Sequence, residues 1–151
     1  MGPILIVDDN ESVRIGLCQL LQDSGYSCEE VENGVSALEW VLSHEVDLVI
    51  TDYQMPFMNG LELLESLRTG PFFNSPQVIF MTGNPSEALQ IKARQAGACA
   101  VVLKPYDTNE LLGAVYGALA AMRREKSLCK FWCSLNTRRE GMATLSKNPG
   151  T

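Results

Sequence analysis

The 151-residue chain has no apolar run near the ~18 residues a membrane-spanning helix requires. Its first ten residues, MGPILIVDDN, lack a basic leader region and already carry two aspartates, which argues against a secretory signal. Position 6 is neither Ser nor Thr, so Gly2 lacks the myristoylation pattern. There is a single histidine, His44, and no glycine-rich Walker loop or serine triad, so those chemistries have no residues to serve them. Positive charge is scarce over most of the chain. Residues 1–123 hold 16 acidic and 6 basic side chains, a net of −10, whereas residues 124–151 hold 2 and 6, a net of +4. An acidic body is a poor match for phosphate backbones, so no direct nucleic-acid contact is expected of it. The cysteines (Cys18, Cys28, Cys99, Cys129, Cys133) are odd in number and scattered, as suits reduced, buried thiols. A cytoplasmic location is the expectation.

What remains is ordinary globular material, 46% hydrophobic and 20% charged, of a length for one domain with an appendage. Short β-branched runs at 4–7, 46–51, 78–82 and 100–103, and a weaker one at 27–31, alternate with stretches of helical spacing. Continuous apolar runs suit strands buried on both faces of a parallel sheet. Val13, Leu17, Leu20 and Leu21 share one helical face, as do Val35, Leu38, Val41 and Leu42, and likewise Leu61, Leu64 and Leu67. Leu111, Leu112, Val115, Tyr116 and Leu119 form the clearest such face. Asn59 with Glu62 and Asp107 with Glu110 have capping-box spacing, and Asn84-Pro85 reads as an N-cap with proline at the first helical position. Gly25 and Gly97 stand where the first and fourth helices should stop. The pattern predicts an α/β fold of type (βα)₅, a doubly wound five-stranded parallel sheet.

In such sheets the functional crevice lies at the carboxyl ends of the strands. Asp8 and Asp9 follow the first strand, Asp52 the third, Thr82 the fourth, and Lys104-Pro105 the fifth. Three carboxylates on one rim repel one another, and a hard divalent cation removes that penalty. An acidic Mg²⁺ pocket with one ammonium and one hydroxyl beside it suits phosphoryl transfer, in which catalysis is mostly positioning and charge neutralisation. Each signal alone is commonplace; their joint placement at the ends of different strands is what points to chemistry. His44 falls at the end of the second helix and reads as a solvated helix-end residue.

The stretches ILIVDDN at 4–10, DLVITDYQMPFMNGLELL at 47–64, VIFMTGN at 78–84 and GACAVVLKPYD at 97–107 resemble the receiver domain of two-component response regulators. The resemblance covers residues 3–123 and implies a flavodoxin-like, CheY-like sheet in the order 2-1-3-4-5. It implies that Asp52 accepts a phosphoryl group from a phosphohistidine on a histidine kinase or phosphotransfer protein. It further implies Mg²⁺ as cofactor, with Mn²⁺ as a substitute, held by Asp9 and Asp52, by Asp8 through water, and by the backbone carbonyl of Gln54. Thr82 and Lys104 would contact the phosphoryl oxygens, Gly83 would leave room for them, and the bond before Pro105 would be cis. Gln54 and Asn84 occupy the positions that tune water attack on the acyl phosphate. Relatives carry an aromatic switch residue three positions before the lysine; here it is Val101, so the output surface is expected to be recognised differently. Such a protein is a phosphorelay switch rather than an enzyme with an external substrate. It signals to a downstream protein, and dimerisation would use the face of the fourth helix, fifth strand and fifth helix. The alternative is a receiver within a larger hybrid histidine kinase or DNA-binding transcriptional regulator. An aspartate-nucleophile phosphatase is a remote third reading, because no D-x-D-x-T/V motif follows the first strand.

Residues 124–151 read as a basic C-terminal tail. Leu128, Phe131, Trp132 and Leu135 recur at i, i+3, i+4 and i+7 with Lys126, Lys130, Arg138 and Arg139 nearby. This is either an amphipathic docking segment, for a partner, the acidic body or a membrane surface, or a prolongation of the fifth helix. Cys129 and Cys133 lie one helical turn apart without further ligands, a poor metal site. From about Gly141 the composition suggests disorder.

Overall fold

A computed structural model describes residues 2–71, 75–84 and 86–145. Strands and helices alternate along the chain: β1 (Ile4–Val7), α1 (Glu11–Asp23), β2 (Cys28–Val31), α2 (Gly34–Ser43), β3 (Leu48–Asp52), α3 (Gly60–Thr69), β4 (Gln77–Thr82), α4 (Glu87–Gln95), β5 (Ala100–Leu103) and α5 (Thr108–Leu145). The five strands form one sheet in the order β2-β1-β3-β4-β5. All pairings are parallel, with Ile4 opposite both Cys28 and Leu48, Asp52 opposite Met81, and Thr82 opposite Leu103.

Alternation along each strand divides the core in two. Ile4, Ile6, Ile50 and Ile79 point to one face with Leu17 and Leu21 of α1 and Leu111 and Val115 of α5. Leu5, Val7, Val49 and Phe80 point to the other with Ala37 of α2, Leu63, Leu64 and Leu67 of α3, and Ala93 of α4. With helices on both faces no strand position is left to water, which is why the strands read as unbroken apolar runs. The two edge strands are the exceptions: β2, CEEV, exposes its two glutamates, and β5 ends on the exposed Leu103.

The helix starts are built from short polar side chains. Asn10, Asn33, Asn59 and Asp107 accept from the backbone N–H three residues on, at 3.3, 2.8, 2.9 and 3.0 Å. The start predicted at Asn84-Pro85 is different. Asn84 Oδ1 instead accepts from Ser86 N–H at 3.2 Å in a local Asx turn, and α4 begins at Glu87 behind Ser86. Pro85 lies outside the described residues. Gly25 and Gly97 have φ of +91° and +99°, as helix-terminating glycines should.

The chain divides into two compact units, Met1–Leu119 and Ala120–Thr151, and the family-like stretch falls almost wholly in the first. In the second, α5 continues as helix to Leu145, so residues 141–145 are helical where their composition suggested otherwise; 146–151 lie outside the described residues. Leu128, Phe131 and Leu135 are exposed there. Among the described cysteines Cys28 is buried, but Cys18 is half-buried and Cys99 exposed, against the expectation of buried thiols; burial, with Cys18 beside it, pushes the Cys28 thiol up to about 12. A thiol so poorly ionised is inert packing material.

Candidate functional site

Because all five strands run the same way, their carboxyl ends share one rim. Asp8 sits just past β1 and is 2% exposed; Asp52 closes β3, half-buried; Thr82 closes β4 and is 2% exposed. Oxygens of Asp8, Asp9 and Asp52 lie within 4.8 Å of one another. Lys104, just past β5, places Nζ 3.0 Å from Asp8 Oδ2 and 3.5 Å from Asp52 Oδ2. The sheet thus assembles side chains from positions 8 to 104 into one cluster.

Asp8 is held on every side. Its Oδ1 accepts the Asn10 N–H at 2.9 Å, and its own N–H donates to the Val31 carbonyl at 3.3 Å. Its carbonyl accepts from Arg14 Nη1 at 2.7 Å. Arg14 is a contact the sequence motifs did not single out; its position six residues after Asp8, inside the first turns of α1, is the available signal. Thr82 is fixed from both ends: its Oγ1 accepts the Asn84 N–H at 3.1 Å, and its carbonyl accepts the Lys104 N–H at 2.7 Å. Fully buried Thr51 donates from Oγ1 to the Asp52 carbonyl at 3.0 Å.

Burial raises the Asp52 carboxyl above its ordinary range; Lys104 opposes that, Asp8 adds to it, and a bond from the Gln54 N–H opposes it. Partial desolvation disfavours the charged form of Asp52, and the ammonium beside it works the other way. Three hard oxygen donors around a cluster with a single ammonium match what Mg²⁺ or another hard divalent ion takes.

Gly83 is exposed, with nothing within 4 Å of where a Cβ would stand. The Lys104–Pro105 peptide bond is cis. Val101 packs with the α2–α4 core, and Tyr106 with the opposite one. His44 caps the end of α2, exposed, its ring stacked on Trp40 at 3.9 Å, and takes no part in the cluster. No helix among the described residues is long and apolar enough to cross a membrane.

Comparison with known proteins agrees with the geometry. The family described as "Response regulator receiver domain" matches residues 4–116. Chemotaxis protein CheY-3 of Vibrio cholerae is 34% identical over 109 residues, covering 72% of this chain and 84% of that protein. The DNA-binding transcriptional regulator NtrC of Rhizobium meliloti is 32% identical over 124 residues, 82% of this chain but only 25% of the regulator. Response regulator Rre1 of Synechocystis is 34% identical over 118 residues, 78% of this chain, and the chain spans 51% of it. Among solved structures, the signal receiver domain of an HD domain-containing protein from Pseudomonas fluorescens superposes with a TM-score of 0.75 at 34% identity, covering 83% of this chain and 93% of that one.

Proposed function

Since the chain belongs to the response regulator receiver family, we propose that it is a signalling switch whose phosphoacceptor is Asp52. The observation that carries this reading is the Lys104 ammonium lodged between Asp8 and Asp52, at 3.0 and 3.5 Å, beside three converging carboxylates. Asp9 and Asp52 would hold Mg²⁺ directly, Asp8 through water, with the Gln54 carbonyl as a further ligand. When bound, the ion supplies positive charge that lets carboxylate and phosphoryl oxygens approach each other.

An Asp52 oxygen attacks the phosphorus of a phosphohistidine in line with its N–P bond. The O–P bond forms as the N–P bond breaks; the imidazole nitrogen keeps the electron pair and takes a proton from water. Lys104 neutralises the equatorial oxygens, and Thr82 donates its hydroxyl to one of them. Gly83 leaves the approach open, and Gln54 and Asn84 flank the path of a hydrolytic water.

On this reading the phosphodonor is a histidine kinase or phosphotransfer protein, and the output is contact with a downstream protein, without turnover of an external substrate. The cytoplasm is the compartment where such donors act. Residues 1–123 would form the switch and 124–151 a basic appendage. NtrC and Rre1 extend well beyond the matched region, which favours a second reading as one module of a longer regulator.

The test is incubation with Mg²⁺ and a small acyl-phosphate donor, followed by intact-mass measurement. Wild type should gain one phosphoryl group and Asp52→Ala none. A gain that persists in Asp52→Ala would mean that another residue is the acceptor.

A further inference from the structure

Arg14 is a charged side chain that the phosphotransfer chemistry does not use, yet it is only 12% exposed. An arginine on the first turns of a surface helix ordinarily extends into water. This one turns back across β1 and β2 instead: Nη1 donates to the Asp8 carbonyl at 2.7 Å, and Nε stands 3.6 Å from Glu30 Oε1 on β2. The carbonyl it holds belongs to the peptide unit joining Asp8 to Asp9. Fixing that oxygen fixes the rotation of the peptide plane, and hence the direction in which the Asp9 side chain leaves the backbone.

Asp9 needs such help. The Asp8 carboxylate is anchored by Lys104 and by the Asn10 N–H. Asp9, on the far side of that peptide unit, is exposed. Its oxygen nonetheless comes within 4.8 Å of those of Asp8 and Asp52.

We propose that Arg14, braced by Glu30, is a positioning residue: its bond to the Asp8 carbonyl sets the Asp8–Asp9 peptide so that the Asp9 carboxylate faces Asp52 across the cation site. This rests on the reading of the acidic cluster as a divalent-cation site. Its sign separates it from plain electrostatics. Removing a positive charge near a cation site, with nothing else changed, tightens cation binding. Losing a group that orients a ligand weakens binding, by roughly 10-fold or more where such supporting contacts have been removed from metal sites.

The experiment is calorimetric titration of the full chain with Mg²⁺ alone, for wild type, Asp9→Asn, Arg14→Gln and Arg14→Lys, with amide hydrogen exchange across residues 8–12. Arg14→Gln is expected to bind Mg²⁺ roughly 10-fold more weakly, with faster exchange in that segment. Arg14→Lys, which keeps the charge and one donor, is expected to recover part of the loss. A merely structural role would lower the melting temperature and leave the affinity of the folded protein unchanged, and that result overturns the proposal. So does wild-type or tighter binding by Arg14→Gln. If Arg14→Gln does not fold, wild-type affinity in Arg14→Lys overturns it, and weakened affinity upholds it. Wild type that fails to bind Mg²⁺ sinks the cation-site reading itself. Wild type that binds while Asp9→Asn does not leaves that reading standing, whatever Arg14 does.

Discussion

Gly34 and Gly60 offer a matched pair of substitutions. Each is the first residue of its helix, each follows an asparagine cap, and each is buried. A Cβ built on either would sit 2.7 Å from its nearest neighbour. The neighbours differ in kind. At Gly60 they are the Asp52 carbonyl oxygen at 2.7 Å and the Tyr53 α-carbon at 3.1 Å; at Gly34 they are Met58 Sδ at 2.7 Å and Cγ at 2.9 Å. The Met58 side chain can rotate away for about 0.5–1.5 kcal/mol. The backbone past β3 cannot, because Tyr53 N–H is bonded to the Met81 carbonyl and Gly60 N–H to the Tyr53 carbonyl, both at 2.9 Å. The contact at Gly60 is about 0.7 Å short of the 3.4 Å where ordinary contact begins, and overpacking of that order costs about 1–3 kcal/mol. The helix-propensity gain of alanine, at most about 1 kcal/mol, is common to both sites and cancels in the comparison. Gly60→Ala should therefore be less stable than Gly34→Ala by about 1 kcal/mol, read from urea unfolding followed by circular dichroism. Because the displaced atom belongs to Asp52, Gly60→Ala should also slow labelling by a small acyl phosphate, while Gly34→Ala should not. Equal stabilities and equal labelling would refute the claim that the backbone behind the acceptor is immobile.

Two further outcomes follow from the geometry. Asp52 is raised by burial, so the native carboxyl keeps its proton to higher pH than the unfolded chain does, and its contribution to stability is lost as pH rises through the native value. In metal-free buffer Asp52→Asn should therefore be the more stable protein at neutral pH, with the gap closing on acidification toward the ordinary value of 3.8; urea melts across pH in EDTA would contradict this if the gap widened instead. Phe57 has φ of +69° and is 99% exposed. Phe57→Gly relieves about 1–2 kcal/mol of left-handed strain, while glycine's freedom in the unfolded chain costs back about 0.5–1 kcal/mol. The variant should melt slightly higher than wild type by calorimetry, and a lower melting temperature would show that the exposed ring makes contacts worth more than the strain.

Most of the fold was legible because burial on both faces leaves a plain signature. Residues 4–7, 46–51 and 78–82 read as strands without competition, and the structure has strands at Ile4–Val7, Leu48–Asp52 and Gln77–Thr82, the last two with bounds shifted by one or two residues. The cluster was legible for a related reason: parallel strands bring their ends together, so Asp8, Asp9, Asp52 and Lys104 could be grouped before any distance was known. The start of α4 was misread because Asn84 can cap a helix or close an Asx turn, and the choice depends on what the β4 exit does to the backbone. Arg14 went unnoticed because a polar residue on a helix gives no sign of whether it faces water or folds back; that depends on the turn between β1 and α1. The helix through 141–145 runs against a composition rich in small and polar residues, and composition is a weak guide where neighbouring turns continue the helix.

Lys104 and Asp8 stand 96 residues apart in the chain, and their strands are not neighbours, since β3 and β4 lie between β1 and β5. Closing so wide a loop is entropically costly, and pairings of this range form slowly. In the native sheet the ammonium meets its carboxylates across two intervening strands, so peeling β5 away from β4 would strip the acids of their counter-charge and leave them to repel one another.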